Sequence, residues 1–77
     1  MSALTKTLSE VLGLDPDKLS DDLVMSDVET WNSLTHIELV VAIEKLCRIE
    51  LSQDEIIEMT SIGAIRDVLR RRGVGVQ

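Results

Sequence analysis

Apolar residues recur at helical intervals over most of this chain and nowhere alternate for long enough to make a strand. Leu4, Leu8, Val11 and Leu12 stand at i, i+4, i+7 and i+8, which places them on one face of a first helix. Gly13 stops it. From Leu14 to Thr30 the period is lost, because Asp15, Pro16, Asp17, Ser20, Asp21, Asp22 and Ser26 interrupt Leu19, Leu23, Val24 and Val28. This reads as a long loop with apolar anchors and room for an extra helical turn, and loops of that length in compact domains are often functional.

From Ser33 to Arg48 there is neither Gly nor Pro, and Asn32 or Ser33 can cap the amides of the first turn, so this stretch is the second and longest helix. Ser52-Gln53-Asp54-Glu55 has the form of a capping box and opens a short third helix through Met59. Thr60 or Ser61 caps a last helix whose inner face is Ala64, Ile65, Val68 and Leu69 and whose end carries Arg70, Arg71 and Arg72, favourable charges at a helix C-terminus. Gly73 ends that helix and Val74 to Gln77 form a frayed tail. The pattern predicts an all-α bundle of four helices over residues 1–77, with a long loop between helices 1 and 2 and a short third helix.

At about 100° per residue the apolar positions of the second helix fall into two stripes. Leu39, Ile43, Leu46 and Cys47, with Val40 at the edge, suit a core shared with the first and last helices. Leu34, Ile37 and Val41 form a second stripe bordered by Glu38, Glu44, Lys45 and Arg48. It either packs beneath the third helix or the long loop, or lies open as a docking strip with a charged rim.

Composition narrows the function. A chain of 77 residues holds one modest core and no deep cleft, which favours a binding or carrier module over an enzyme. The core must be aliphatic, since Trp31 is the sole aromatic residue. A net charge of −6 opposes nucleic-acid binding and suits basic protein partners. Cys47 has no second cysteine to pair with, and the first residues have no long apolar stretch, so a cytoplasmic protein with no membrane association is expected. The closeness of the termini to the domain edges suggests a free-standing protein, although a piece cut from a longer chain would look much the same.

Few residues invite a chemical role. Ser33 and His36 lie one turn apart, but no nucleophile elbow, third orienting group or oxyanion hole accompanies them, and His36 falls beside the core stripe, where packing or tethering of the loop accounts for it. Asp15, Asp17, Asp21 and Asp22 lack the glycine and final glutamate of a calcium loop and read as solvated charges, so no metal site is expected. Cys47 reads as a buried structural thiol. Trp31 either anchors the loop against the bundle or is exposed in a partner interface.

Trp31-Asn32-Ser33-Leu34, followed by His36-Ile37-Glu38-Leu39-Val40-Val41-Ala42-Ile43-Glu44, resembles the modification site and second helix of acyl carrier proteins. The resemblance extends to Leu12-Gly13-Leu14-Asp15-Pro16, Ile49-Glu50-Leu51-Ser52 and Thr60-Ser61-Ile62-Gly63, and so covers nearly the whole chain. It implies a non-catalytic carrier, a monomer by family habit, with 4'-phosphopantetheine attached covalently to Ser33 by a phosphopantetheinyl transferase. The arm would hold acyl intermediates as thioesters for loading and processing enzymes of ligase, ketosynthase or acyltransferase type, in fatty-acid, polyketide or related secondary biosynthesis. Leu34, Ile37, Glu38, Val41 and Glu44 match the family's interface positions, and Leu39, Ile43 and Leu46 match its core.

The departures are specific. Asn32 replaces the family's usual Asp, keeping a cap but losing a charge beside Ser33. Thr35, Lys45 and Arg48 make the second helix less acidic than in carriers of fatty-acid synthesis, which implies partners that rely more on apolar contact. The Gly-rich approach of peptidyl carriers is missing from Glu29-Thr30-Trp31-Asn32. A rival of another class is an unmodified helical adaptor that uses the Leu34, Ile37 and Val41 stripe for protein binding alone.

Overall fold

The computed structural model describes residues 3–74. Four helices follow one another as α1 (Ala3–Leu12), α2 (Ser33–Cys47), α3 (Gln53–Glu58) and α4 (Ile62–Arg71). The loop between α1 and α2 holds two 3-10 turns, Pro16–Lys18 and Met25–Asp27, which answer the expected extra turn. No strand forms among the described residues; a lone antiparallel bridge joins Val24 to Ser61. No helix among them is long and apolar enough to cross a membrane.

Local chemistry sets the helix ends. Gly13 takes φ +66° after α1, a left-handed conformation that is strained for a residue with a Cβ. Ser52 accepts the Glu55 amide while the Glu55 side chain accepts the Ser52 amide, completing the capping box, and Ser61 accepts the Ala64 amide at the head of α4. Helix α2 ends at Cys47 with Arg48 left-handed.

The core runs between all four helices. Leu8 and Leu12 of α1, Leu39 and Ile43 of α2, Ile62, Ile65, Val68 and Leu69 of α4 and Met59 are fully buried. Burial of each such aliphatic side chain stabilises by about 1.5–3 kcal/mol, which lets a domain of this size fold with a single aromatic residue. Leu46 departs from expectation: it is 40% exposed. A helical wheel gives direction but not depth along the axis, and Leu46 lies in the last turn of α2, one turn beyond Ile43. Cys47 is half-buried, and desolvation raises its thiol pKa, which disfavours the reactive thiolate. Val74 is not frayed: its N–H donates to Leu69 O at 2.9 Å and its side chain packs on the core. The remainder of the expected tail, through Gln77, lies outside the described residues.

The long loop is stitched to the α3–α4 connection. Met25 N–H donates to Thr60 O (2.8 Å), Ile62 N–H to Leu23 O (3.0 Å) and Gly63 N–H to Asp21 O (2.9 Å), and Arg66 pairs with the Asp21 carboxylate. Gly63 is required by this approach, because a Cβ there would stand 2.9 Å from Asp21 O. Gly63→Ala is accordingly expected to destabilise the domain by about 1–3 kcal/mol, the usual cost of overpacking, despite alanine's better helix propensity. A urea midpoint equal to or above that of the native chain would contradict the clamp.

The arginines after α4 reach beyond their own helix. Arg71 pairs with Glu58, and Arg72 donates to both Glu55 oxygens and to Glu50 O, tying the end of α4 to α3. The Arg72 guanidinium, with the Ser52 cap, holds the Glu55 pKa down to about 2 from an ordinary value of 4.5. On acidification the unfolded chain therefore takes up this proton before the folded one does. The stabilisation is complete above about pH 4.5 and is lost as pH falls toward about 2. Glu55→Gln should flatten the dependence of the melting temperature on pH in that window; an unchanged slope would count against the link.

Candidate functional site

Asn32, not Ser33, caps α2. Its Oδ1 accepts the Thr35 amide at 3.0 Å and lies 3.2 Å from the Thr35 hydroxyl, while its backbone carbonyl accepts the His36 amide at 2.8 Å. Ser33 is thereby the first residue of the helix proper; it is exposed, and its hydroxyl makes no hydrogen bond within the described residues. The serines at the heads of the other two capped helices, Ser52 and Ser61, spend their hydroxyls on capping. The Asn32 cap also leaves over the amides of Ser33 and Leu34, so the free hydroxyl stands at the electropositive end of a long helix.

Trp31 and His36 brace this corner from below. Trp31 is 2% exposed, which settles it as the anchor of the loop. Its Nε1–H donates to His36 Nδ1 at 3.0 Å, and since the indole can only donate, the imidazole proton belongs on Nε2, which donates to Ile56 O at 2.8 Å. The bridge links the turn before Ser33, the first turn of α2 and the end of α3. With both ring nitrogens engaged, His36 has no lone pair to offer the Ser33 hydroxyl, which removes the geometry of a Ser/His hydrolase. Thr30 Oγ1 adds a bond to Leu12 O at 2.6 Å, holding the end of the loop against α1.

Beyond Ser33 the second stripe of α2 is open. Leu34 is 72%, Ile37 54% and Val41 42% exposed, so it does not pack beneath α3 or the loop. Glu38 is exposed at its edge. Glu44 is half-buried and directs Oε2 to the Leu51 amide (2.9 Å), fixing the α2–α3 connection. Ile57 of α3 is a further large apolar residue left 64% exposed, which the helical pattern did not single out. The signal was present: Ile56 and Ile57 are adjacent on a six-residue helix, and only one of two neighbours about 100° apart can face inward. Charge is partitioned as well. Glu10, Asp15, Asp17, Asp21, Asp22, Asp27 and Glu29 against Lys18 account for the chain's whole net charge of −6, and Glu38 and Glu44 of α2 are balanced by Lys45 and Arg48 beyond them. Among the described residues no group of three or more acidic, His or Cys side chains is placed to hold a metal ion.

A family model described as "Phosphopantetheine attachment site" matches residues 2–69. The chain belongs to this family of carrier domains. An acyl carrier protein of Buchnera aphidicola subsp. Baizongia pistaciae (strain Bp) is similar to it, at 26% identity over 68 residues that span 88% of this chain and 87% of that protein. The four helices, the long first loop and the short α3 are those of an acyl-carrier bundle. The prosthetic group of the family is covalent 4'-phosphopantetheine, and the role of such a domain is to carry rather than to catalyse. The corner fits that group: it offers an unengaged primary hydroxyl and two spare helix amides for a phosphodiester.

Proposed function

We propose that Ser33 is the attachment residue and that the domain presents acyl intermediates of fatty-acid, polyketide or related secondary biosynthesis to its partner enzymes. The observation that carries this reading is the division of labour at the head of α2. Asn32 does the capping and Ser33 is left exposed with a free hydroxyl. In the transfer, Ser33 Oγ bonds to the phosphorus that bears the pantetheine arm of coenzyme A as the bond to the bridging phosphate oxygen breaks. Adenosine bisphosphate leaves, and the hydroxyl proton passes to a base on the phosphopantetheinyl transferase, an enzyme that normally also holds magnesium. When attached, the group supplies a terminal thiol that holds the acyl chain as a thioester. The residues of the chain anchor that arm on a fixed corner and raise its effective concentration at each docked partner.

Docking falls to α2. Leu34, Ile37 and Val41 form the apolar contact beside Ser33, Glu38 lies at its edge, and Glu44 fixes the α2–α3 connection beyond it through the Leu51 amide. The charge balance around α2 favours partners of ligase, ketosynthase or acyltransferase type that read apolar shape here, with the acidic loop steering basic surfaces from the side. The carrier acts as a monomer in the cytoplasm. Fragmentation of the modified protein tests the attachment point: the group is expected on the peptide containing Ser33, and its appearance on another hydroxyl would sink the assignment.

A further inference from the structure

We infer that this carrier cradles a short, oxygen-bearing acyl group in the groove beside Trp31, outside the bundle, and does not thread long aliphatic chains between α2 and α3. The inference rests on the reading of Ser33 given above. An open groove of about 590 Å³ is lined by Val24, Met25, Ser26, Trp31 and Thr60. One of the lining residues, Trp31, stands two positions before Ser33 in the chain. The Met25 turn and the α3–α4 connection, which both contribute to its lining, are joined by the Met25–Thr60 hydrogen bond and the Val24–Ser61 bridge, so the shape is built before any cargo arrives.

The lining chooses among cargoes. The half-buried Val24 and Met25 give apolar contact for a few carbons, over a floor set by the buried Trp31. Ser26 and Thr60 are exposed, and their hydroxyls have no hydrogen-bond partner within the described residues, so they are available to a hydroxyl or keto oxygen on the acyl group. The indole N–H of Trp31 is not available, being committed to His36. That same bond closes the other route. To pass between α2 and α3 near Ser33, a chain must part the Trp31–His36–Ile56 bridge and strand two buried N–H donors in an apolar setting.

The test loads the native chain, through a phosphopantetheinyl transferase, with amide-linked butyryl, 3-hydroxybutyryl and dodecanoyl analogues of the arm. Intact mass verifies each product and NMR reads the response. The 3-hydroxybutyryl form is expected to shift the Met25 methyl and the Ser26 and Thr60 amides at least twofold more than the butyryl form. Ser26→Ala with Thr60→Val, at exposed positions, should reduce that difference to nothing while the rest of the spectrum stays in place. The dodecanoyl form should leave the Leu39, Ile43 and Ile65 methyls unmoved. Correct masses with silent groove signals, or core methyls that shift with chain length, would overturn this inference and leave the Ser33 reading intact. Absence of any mass gain would remove the Ser33 reading and this inference with it.

Discussion

Trp31→Ala is expected to cost about 3–5 kcal/mol, the range for truncating a large buried aromatic. A domain of 77 residues has roughly 4–12 kcal/mol of stability to lose, at 0.05–0.15 kcal/mol per residue. The variant should therefore lose about a quarter or more of its stability, and it unfolds at room temperature where the native chain lies at the low end of that range. Two losses combine: the ring that fills the space under the loop disappears, and His36 Nδ1 loses its donor. Trp31→Phe separates them, because it keeps most of the apolar volume but strands the imidazole nitrogen, for an expected loss of about 1–3 kcal/mol. Urea titrations followed by far-UV circular dichroism measure both without depending on tryptophan fluorescence. A Trp31→Ala variant within about 1 kcal/mol of the native chain would show that Trp31 does not hold this corner together, since ordinary surface substitutions cost that little.

Ile37→Glu should do the reverse, leaving the fold intact while removing function. Ile37 is more than half exposed, so the change in stability should stay within about 0.5 kcal/mol. If the Leu34, Ile37 and Val41 strip is the docking surface, a charge at its centre should cost 2 kcal/mol or more of binding, roughly a 30-fold loss in kcat/KM with the phosphopantetheinyl transferase as the assayed partner. Glu38→Gln, at the exposed edge, should change the same constant by only about twofold to fivefold, as expected of a solvated charge. A transferase indifferent to Ile37→Glu would move recognition to the acidic loop.

These two residues mark how much of the molecule was legible in the sequence. Helix ends were readable because capping is local chemistry: Ser52 with Glu55, Ser61 and Gly13 act on amides and carbonyls within a few positions of themselves. The open stripe of α2 was visible in its period, but whether anything covered it was not, since that depends on where the loop and α3 come to lie. Leu46 shows the same gap from the other side, being correct in angle and wrong in depth. The bonds joining Asp21 to Gly63 and Arg66, Val24 to Ser61, and Trp31 through His36 to Ile56 link distant parts of the chain and leave no periodic trace. The last of these ties the turn before Ser33 to the first turn of α2 and to α3. Asn32 was legible as a possible cap, but only the folded geometry assigns it the cap and frees Ser33.

The most direct test of the central claim is the intact mass of the folded protein before and after incubation with coenzyme A, magnesium and a broad-specificity phosphopantetheinyl transferase, with Ser33→Ala treated in parallel. Because Ser33 is exposed and its hydroxyl makes no hydrogen bond within the described residues, the variant should match the native chain in stability and differ in chemistry alone. The native chain is expected to gain the mass of one phosphopantetheine and Ser33→Ala to gain none. An equal gain on both chains, or none on a native chain shown to be folded and initially unmodified, would contradict the assignment of Ser33.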